Sequence, residues 1–123
     1  MTDFTDLADR YIAMWNETDA KRRREIIARL WTDNARYVDP LMSSEGASGI
    51  DAMVQGVQER FPGHRFRRTS KVDAHNHCLR FGWELGPSPD APPLVAGIDF
   101  GVIAADGRLQ AITGFLDRVP QAA

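Results

Sequence analysis

The chain has 123 residues, of which 43% are hydrophobic and 26% charged, a composition typical of globular proteins that excludes a disordered chain. Its formal net charge is −2, from 15 basic and 17 acidic side chains, so the sequence lacks the strongly basic character of a nucleic-acid-binding protein. At this length we expect a single domain over residues 1–123, built on one core.

The first predicted element is an amphipathic helix near the N-terminus. Its apolar residues recur at i, i+3, i+4, i+7, i+8 and i+11 and therefore share one face: Phe4, Leu7, Ala8, Tyr11, Ile12 and Trp15. Asp3 and Asp6 lie at the positive end of the helix dipole. Polar residues from Asn16 to Asp19 end this helix.

A second helix is predicted to follow, with a buried edge made of Ile26, Ile27, Leu30 and Trp31. It opens with four basic residues, Lys21 to Arg24. Such a run either binds phosphate or forms a solvated helix face, and the usual behaviour of charge runs favours the solvated face.

A short strand, a loop and a third helix are predicted next. Residues 35–39 predict the strand, which ends at Pro40; the proline also favours an extended backbone at Asp39. Small residues over 42–49 predict a loop. The sequence from Ser48 to Asp51 has the form of a capping box, so we expect the third helix to run from Gly49 to Phe61 and to stop at Pro62-Gly63.

The C-terminal half has the composition of β-strands. Four strands rich in Val, Ile, Phe and Thr are predicted, at 65–75, 79–86, 94–104 and 108–117. Asn76-His77 and Asp106-Gly107 predict tight turns, and the proline-rich residues 87–93 predict a longer connection. In the second strand one face carries Leu79, Phe81, Trp83 and Leu85. Three helices ahead of four meandering strands predict an α+β fold with the helices packed on an antiparallel sheet.

Two carboxylates occupy surroundings that are unusual for a charged group. Asp99 lies in the most apolar segment, 94–103, where an ionised carboxylate has to be paired, hydrogen-bonded or protonated. Asp39 ends a strand and shares a face with Tyr37, and Tyr11 lies on the buried face of the first helix. Each also has a structural interpretation: Asp39 as a turn former, Asp99 as a partner of backbone groups, and Tyr11 as core filling.

Three short motifs together resemble the ketosteroid isomerases of the nuclear transport factor 2-like superfamily. They are Arg10–Ala13, Tyr37–Pro40 and Val95–Asp99, and the resemblance extends over nearly the whole chain in element order and spacing. It implies a cone-shaped fold, with three N-terminal helices packed on a curved, mostly antiparallel sheet that encloses an apolar pocket. It also implies a homodimer formed through the sheet.

The resemblance further implies roles for the three candidate residues. Asp39 matches the general base, while Tyr11 and Asp99 match the two donors of the oxyanion hole. The helix position that can supply a supporting tyrosine in ketosteroid isomerases is matched by Val57. Segments 61–66 and 113–117 look more like the SnoaL-like branch of the superfamily. That branch includes polyketide cyclases, which use an Asp on a sheet strand as acid/base, a role that Asp99 could match.

The predicted ligand is a small hydrophobic molecule held by large side chains of the pocket. We expect the substrate-binding residues to be Trp15, Trp31, Tyr37, Met53, Phe61, His64, Phe81 and Trp83. His64, which follows Pro62-Gly63, is the candidate for the pocket rim, although an exposed loop histidine is an equally good interpretation.

Neither a metal nor an organic cofactor is predicted. His75 and His77 flank a turn with Asp73 nearby, but two ligands without a clear third make a poor metal site. Cys78 is the single cysteine, so it cannot form an internal disulfide, and no base partner accompanies it. The acidic N-terminus and the lack of an apolar run near ~20 residues favour a cytoplasmic protein that does not associate with membranes.

The function predicted from these features is a cofactor-independent isomerase or cyclase that moves a proton α to a carbonyl of a hydrophobic ketone. A dehydratase or hydrolase could use the same Asp and Tyr groups. The alternative from a different class is a binding module without turnover, in which the pocket holds a small ligand or the outer sheet face forms a dimeric interaction surface.

Overall fold

The computed structural model describes residues 3–120, and in this range three helices pack with seven strands. The helices are α1 (Phe4–Asn16), α2 (Ala20–Leu30) and α3 (Gly46–Arg60). The strands are β1 (Trp31–Val38), β2 (Ser43–Glu45), β3 (Arg65–Arg68), β4 (Asp73–His75), β5 (Cys78–Gly86), β6 (Val95–Ile103) and β7 (Leu109–Arg118). No helix within these residues is long and apolar enough to cross a membrane.

All strands belong to one sheet, in the order β2-β1-β7-β6-β5-β3, and β4 pairs with β5 further along the same edge as β3. Every pair is antiparallel except β1 and β7, which run parallel. The predicted α+β class with a mostly antiparallel sheet is therefore confirmed. The parallel pair was not predicted, because it joins two strands that are separated by most of the chain.

The core lies between the helices and one face of the sheet. Leu79, Phe81, Trp83 and Leu85 of β5 are all buried, as their alternation predicted. On the helix side Leu7, Tyr11 and Met14 of α1 and Ile27 and Leu30 of α2 join the same buried cluster. The two tight turns are also confirmed: His75 pairs with Cys78 across Asn76-His77, and Gly107 adopts a φ of +89°.

The start of α3 differs from the prediction. The helix begins at Gly46 rather than Gly49, so Ser48 lies inside it and does not form a capping box. Gly46 has a φ of +71°, a conformation that lets the chain turn from β2 directly into the helix. Asp3 and Asp19 do cap α1 and α2, each by accepting a hydrogen bond from a backbone amide three residues on.

Three strand boundaries also differ. Trp31 was expected on helix two but opens β1, which is longer than the predicted 35–39. The expected loop at 42–49 contains β2, because residues 43–45 pair with β1. The single strand expected at 65–75 is two strands, and the residues between them leave the ladder where Ser70 Oγ accepts from the Gly82 amide.

Arg23 is a further correction, because the basic run at 21–24 is not wholly solvated. Its side chain is only 1% exposed and links α2 to α3. Its Nε donates to Asp51 Oδ1 at 2.6 Å, and the rest of the guanidinium donates to Gln55, Gln58 and the Glu17 carbonyl. This network satisfies the buried charge and fixes the two helices relative to each other.

Candidate active site

Asp99 lies on the inward face of β6 and is 3% exposed. Its Oδ2 accepts a hydrogen bond from the Tyr11 hydroxyl at 2.8 Å, and its Oδ1 accepts from Trp83 Nε1 at 3.0 Å. Burial is the main cause that raises the pKa of this carboxyl from 3.8 to about 6, and the two hydrogen bonds oppose the rise. Asp99 is thus hydrogen-bonded and its pKa is raised, but in the free protein the carboxyl is still mostly ionised at pH 7.

Tyr11 is positioned by three aromatic neighbours. The ring centroids of Trp31 and Phe81 lie 5.9 Å away and that of Trp15 lies 6.4 Å away. Burial and the nearby charge of Asp99 raise the pKa of the Tyr11 phenol well above its ordinary value. Tyr11 is therefore a neutral hydrogen-bond donor at any physiological pH.

Asp39 follows the end of β1 and combines two roles. Its Oδ1 accepts from the backbone amides of Leu41 and Met42, at 2.8 and 3.0 Å, which is the turn-forming role. Its Oδ2 accepts from the Tyr37 hydroxyl at 2.7 Å. Burial and the charge of Asp99 raise the pKa of Tyr37, so this phenol also remains neutral. The turn therefore holds the Asp39 carboxylate in a fixed orientation.

The side chains of Asp39 and Asp99 both approach Gly114 of β7. A methyl group added to Gly114 would lie 2.9 Å from Asp99 Oδ1, 3.2 Å from Asp39 Cβ and 3.4 Å from the Tyr37 hydroxyl oxygen. The register explains this approach, because Gly114 pairs with Asp99 on β6 and its neighbour Thr113 pairs with Val38 on β1. A residue without a side chain at 114 leaves the space in which these polar groups approach one another.

A cavity of about 490 Å³ adjoins this group, within the range of roughly 300–1,000 Å³ found for small-molecule sites. Tyr11, Asp39 and Asp99 all contribute to its wall. Most of the remaining wall is apolar or aromatic: Ile12, Trp15, Tyr37, Leu41, Met42, Val57, Arg60, Phe61, Phe66, Trp83, Leu85, Val95, Leu116, Val119 and Pro120.

Four of the eight predicted substrate-binding residues line the cavity, namely Trp15, Tyr37, Phe61 and Trp83. The other four lie outside its wall. Trp31 and Phe81 are core residues behind Tyr11, each 2% exposed, and the Trp31 indole donates to Met14 Sδ. Met53 contacts Ser44 of β2 through its sulfur, and the His64 imidazole bonds the Pro62 carbonyl instead of entering the cavity.

Comparison with known proteins places the chain in a family. The model of the SnoaL-like domain matches residues 8–112, which is most of the chain. The chain belongs to the SnoaL-like family. The resemblance to this branch of the nuclear transport factor 2-like superfamily is therefore confirmed, and no curated protein matches this SnoaL-like domain.

Solved structures agree with that assignment. A proposed isomerase of the SnoaL-like family from Agrobacterium tumefaciens strain C58 is 42% identical, with a TM-score of 0.88 over 95% of this chain and 99% of that chain. A protein of unknown function from Exiguobacterium sp. 255-15, described as nuclear transport factor 2-like, is 21% identical, with a TM-score of 0.71 over 90% and 98% of the two chains. A proposed SnoaL-like polyketide cyclase from Jannaschia sp. CCS1 is 17% identical, with a TM-score of 0.68 over 95% and 90%. The last two likenesses concern the fold alone.

Sequence reasoning missed several wall residues of this SnoaL-like domain, and Arg60 is the one with a charge. Val57 and Arg60 lie three residues apart on α3, so the helical period could have placed them on one face, next to the predicted Phe61 that directly follows the helix. Leu116, Val119 and Pro120 come from the end of β7 and the residues beyond it, for which the sequence pattern carried no signal.

The histidines do not assemble a metal site in the described part of this SnoaL-like domain. Among residues 3–120 there is no group of three or more His, Cys, Asp or Glu side chains placed to hold a metal ion. The His75 imidazole lies near Cys78 Sγ, at 3.7 Å from Nε2, on the exposed β4–β5 turn.

Proposed function

We propose that this SnoaL-like domain is a cofactor-independent enzyme that moves a proton α to the carbonyl of a small hydrophobic ketone or polyketide-like molecule. The observation that carries the proposal is the meeting of two carboxyls and a phenol in one largely apolar cavity wall. Tyr11 and Asp99 are joined by a 2.8 Å hydrogen bond, and Asp39 and Asp99 both adjoin Gly114. An enolisation needs one base and a pair of donors aimed at one oxygen, and these groups can supply both.

In the proposed reaction Asp39 removes a proton from the α-carbon, and the C–H bonding electrons move toward the carbonyl oxygen. Tyr11 and neutral Asp99 donate hydrogen bonds to the resulting enolate oxygen. Asp39 then returns the same proton to another carbon of the conjugated system, so no net charge or proton is lost. The Trp83 indole holds the Asp99 carboxyl in place through Oδ1 and leaves Oδ2 on the Tyr11 side.

The proposal requires Asp99 in its neutral form, which its surroundings favour. A carboxyl with a pKa of about 6 is neutral in about one molecule in ten at pH 7. Burial is the largest cause of the rise, so a ligand that displaces water from the cavity raises the pKa further. The neutral, catalytically competent form therefore becomes more populated when a hydrophobic substrate is bound.

The first test measures isomerisation of a panel of small cyclic β,γ-unsaturated ketones by the absorbance of the conjugated enone. Asp39→Asn should lower kcat by a factor of about 10² or more, because general-base catalysis contributes ~10²–10⁴. Asp90→Asn, a change at an exposed position of the β5–β6 connection, is the matched control and should keep the wild-type rate. A wild-type rate in Asp39→Asn would contradict the proposal.

A pH profile tests the roles of the two carboxyls. Since the donor form of Asp99 is the protonated one, kcat/KM for the free enzyme should fall as the pH rises above about 6. The Tyr11→Phe variant should be slower by ~10²–10³ across the profile, since it lacks one donor. A rate that instead rises through pH 6 would make ionised Asp99 the base and reject the role given to Asp39.

A second candidate function is binding without turnover. It is favoured by the hydrogen bonds that Asp39 already accepts from Tyr37 and from two backbone amides, which suffice to explain the residue as a turn former. A binder should show the same ligand-induced thermal shift in wild type and Asp39→Asn. An enzyme should consume a ketone that persists with the variant.

A further inference from the structure

The charged groups of the cavity wall are arranged in two places. Asp39 and Asp99 lie together beside Gly114, and Arg60 lies at the last residue of α3. Arg60 is the basic residue of the wall, and the other wall residues are acidic, apolar or aromatic. A neutral ketone has no use for such a cation, so Arg60 indicates a second recognition element in the ligand.

The guanidinium of Arg60 has its hydrogen-bonding capacity available. Among residues 3–120, no carboxylate lies within ion-pair distance of it and no side-chain acceptor takes its N–H groups. Its Cζ lies 5.8 Å from the centroid of the Phe61 ring, which is also part of the wall. This contact supports the guanidinium over the ring without consuming its donors.

Charge and geometry together select the kind of ligand. A guanidinium offers two parallel N–H groups that match a carboxylate. A carboxylate placed next to Asp39 and Asp99 would be repelled, so it has to lie at the Arg60 end while a neutral carbonyl occupies the Tyr11 end. Leu41, Phe66, Leu85 and Val95 are among the residues that provide apolar wall surface for the hydrophobic body of the ligand.

We propose that the substrate is a hydrophobic keto acid, which presents its ketone to Tyr11 and Asp99 and pairs a remote carboxylate with Arg60. The proposal rests on the proposed function for the ketone end only. The Arg60 end concerns binding and can be tested without turnover.

The experiment uses two naphthols, because an aromatic hydroxyl resembles the enol and the ring system cannot react. The probes are 6-hydroxy-2-naphthoic acid, with its carboxylate at the end opposite the hydroxyl, and the neutral 6-hydroxy-2-naphthamide. Their Kd values are measured by isothermal titration calorimetry at low and high ionic strength. The proteins are wild type, Arg60→Gln and Arg29→Gln. Arg29 is the matched control, since it is an exposed arginine in the last turn of α2 outside the cavity wall.

We expect wild type to bind the acid about five- to tenfold more tightly than the amide, and this preference should shrink with added salt because Arg60 is exposed. Arg60→Gln should remove the preference by weakening the acid alone, while Arg29→Gln should retain it. Equal binding of the two probes by wild type, no binding of the acid, or a preference that survives Arg60→Gln would each overturn the proposal. Circular dichroism on each variant confirms that it is folded.

The same titration separates this inference from the proposed function. The preference for the acid should persist in Asp39→Asn, which lowers kcat by a factor of about 10² or more under the proposed mechanism. If ketone turnover is absent while the preference depends on Arg60, the anion site stands and the isomerase proposal fails. If turnover depends on Asp39 and the preference for the acid is absent, the isomerase proposal stands and the anion site at Arg60 is rejected.

Discussion

Asp99 is buried at a cost to stability at neutral pH. Its pKa rises from 3.8 to about 6, so the folded state binds this proton more tightly than the unfolded state does. Protonated Asp99 therefore contributes to the free energy of unfolding below about pH 4, and this contribution is lost as the pH rises through 6. The free energy of unfolding changes by about 3 kcal/mol, which corresponds to a shift of about two pKa units.

Asp99→Asn should therefore be more stable, relative to wild type, at pH 8 than near pH 4. The amide oxygen can still accept from the Trp83 indole, but the amide nitrogen cannot accept from the Tyr11 hydroxyl, so the loss of that hydrogen bond offsets part of the gain at every pH. In urea unfolding, the stability of the variant relative to wild type should be about 2–3 kcal/mol more favourable at pH 8 than near pH 4. A variant that is destabilised equally at both pH values would show that burying the charge of Asp99 does not lower the stability of the wild type.

Gly114 is the residue that leaves room for the side chains of Asp39 and Asp99 beside β7. Gly114→Ala places a methyl group 2.9 Å from Asp99 Oδ1 and 3.2 Å from Asp39 Cβ, closer than normal contacts. We expect a loss of about 1–3 kcal/mol in the free energy of unfolding and a lower kcat, because the displaced carboxylates no longer face the same ligand.

Gly56→Ala is the matched control for this substitution. Gly56 lies within α3 and a methyl group there meets nothing within 4 Å, so alanine should stabilise the helix by about 0.5–1 kcal/mol without changing activity. If Gly114→Ala behaved like Gly56→Ala in both unfolding and kinetics, the contacts of residue 114 with Asp39 and Asp99 would matter neither for stability nor for catalysis.

At the scale of elements, the pairing of α2 with α3 depends on Arg23. Arg23→Ala removes a buried guanidinium and leaves Asp51, Gln55 and Gln58 without their shared donor. Breaking such a buried network costs about 3 kcal/mol or more, which chemical denaturation can measure. Arg22→Ala, an exposed change on the same helix, should stay within about 0.5 kcal/mol of wild type. Equal effects of the two substitutions would contradict the structural role of Arg23.

The elements also indicate what the sequence could and could not predict. The first helix and the alternation in β5 follow from local hydrophobic spacing, and the two tight turns follow from local turn chemistry, so all were predicted correctly. The start of α3, the existence of β2 and the division of residues 65–75 depend on which residues pair with β1 and β5. Local patterns cannot specify such partners.

The candidate site divides in the same way. The apolar surroundings of Asp99 predicted a carboxyl that has to be paired, hydrogen-bonded or protonated, whereas its partner Trp83 was predicted as a substrate-binding residue and not as the donor to Asp99. Alternation places Phe81 and Trp83 on one face but cannot tell which of them meets the cavity. In the structure the Tyr11 ring packs against Phe81, a contact that is set by the docking of α1 on the sheet.

At the scale of the whole molecule, the outer face of the sheet carries an exposed apolar patch. Ile98, Phe100, Phe115 and Val38 are 41%, 39%, 58% and 47% exposed. Ile98 pairs directly with Phe115, and Thr113 lies between Phe100 and Val38 in the register, so the patch extends over β6, β7 and β1. Contiguous apolar surface of this kind marks an interaction site more often than an ordinary solvated face.

We propose that a second copy of the chain covers this patch and forms a homodimer through the sheet. Wild type should then have a mass of about twice 13.7 kDa in size-exclusion chromatography with light scattering, and Phe115→Arg should shift it to the monomer, since it places a charge at the most exposed aromatic residue of the patch. Ala28→Arg adds the same charge at an exposed position of α2 and should leave the dimer intact. A monomeric wild type, or a dimer unaffected by Phe115→Arg, would reject the interface.

Because Phe115 neighbours Gly114 but faces away from the cavity, the monomeric variant should still bind the naphthol probes, which separates assembly from ligand recognition.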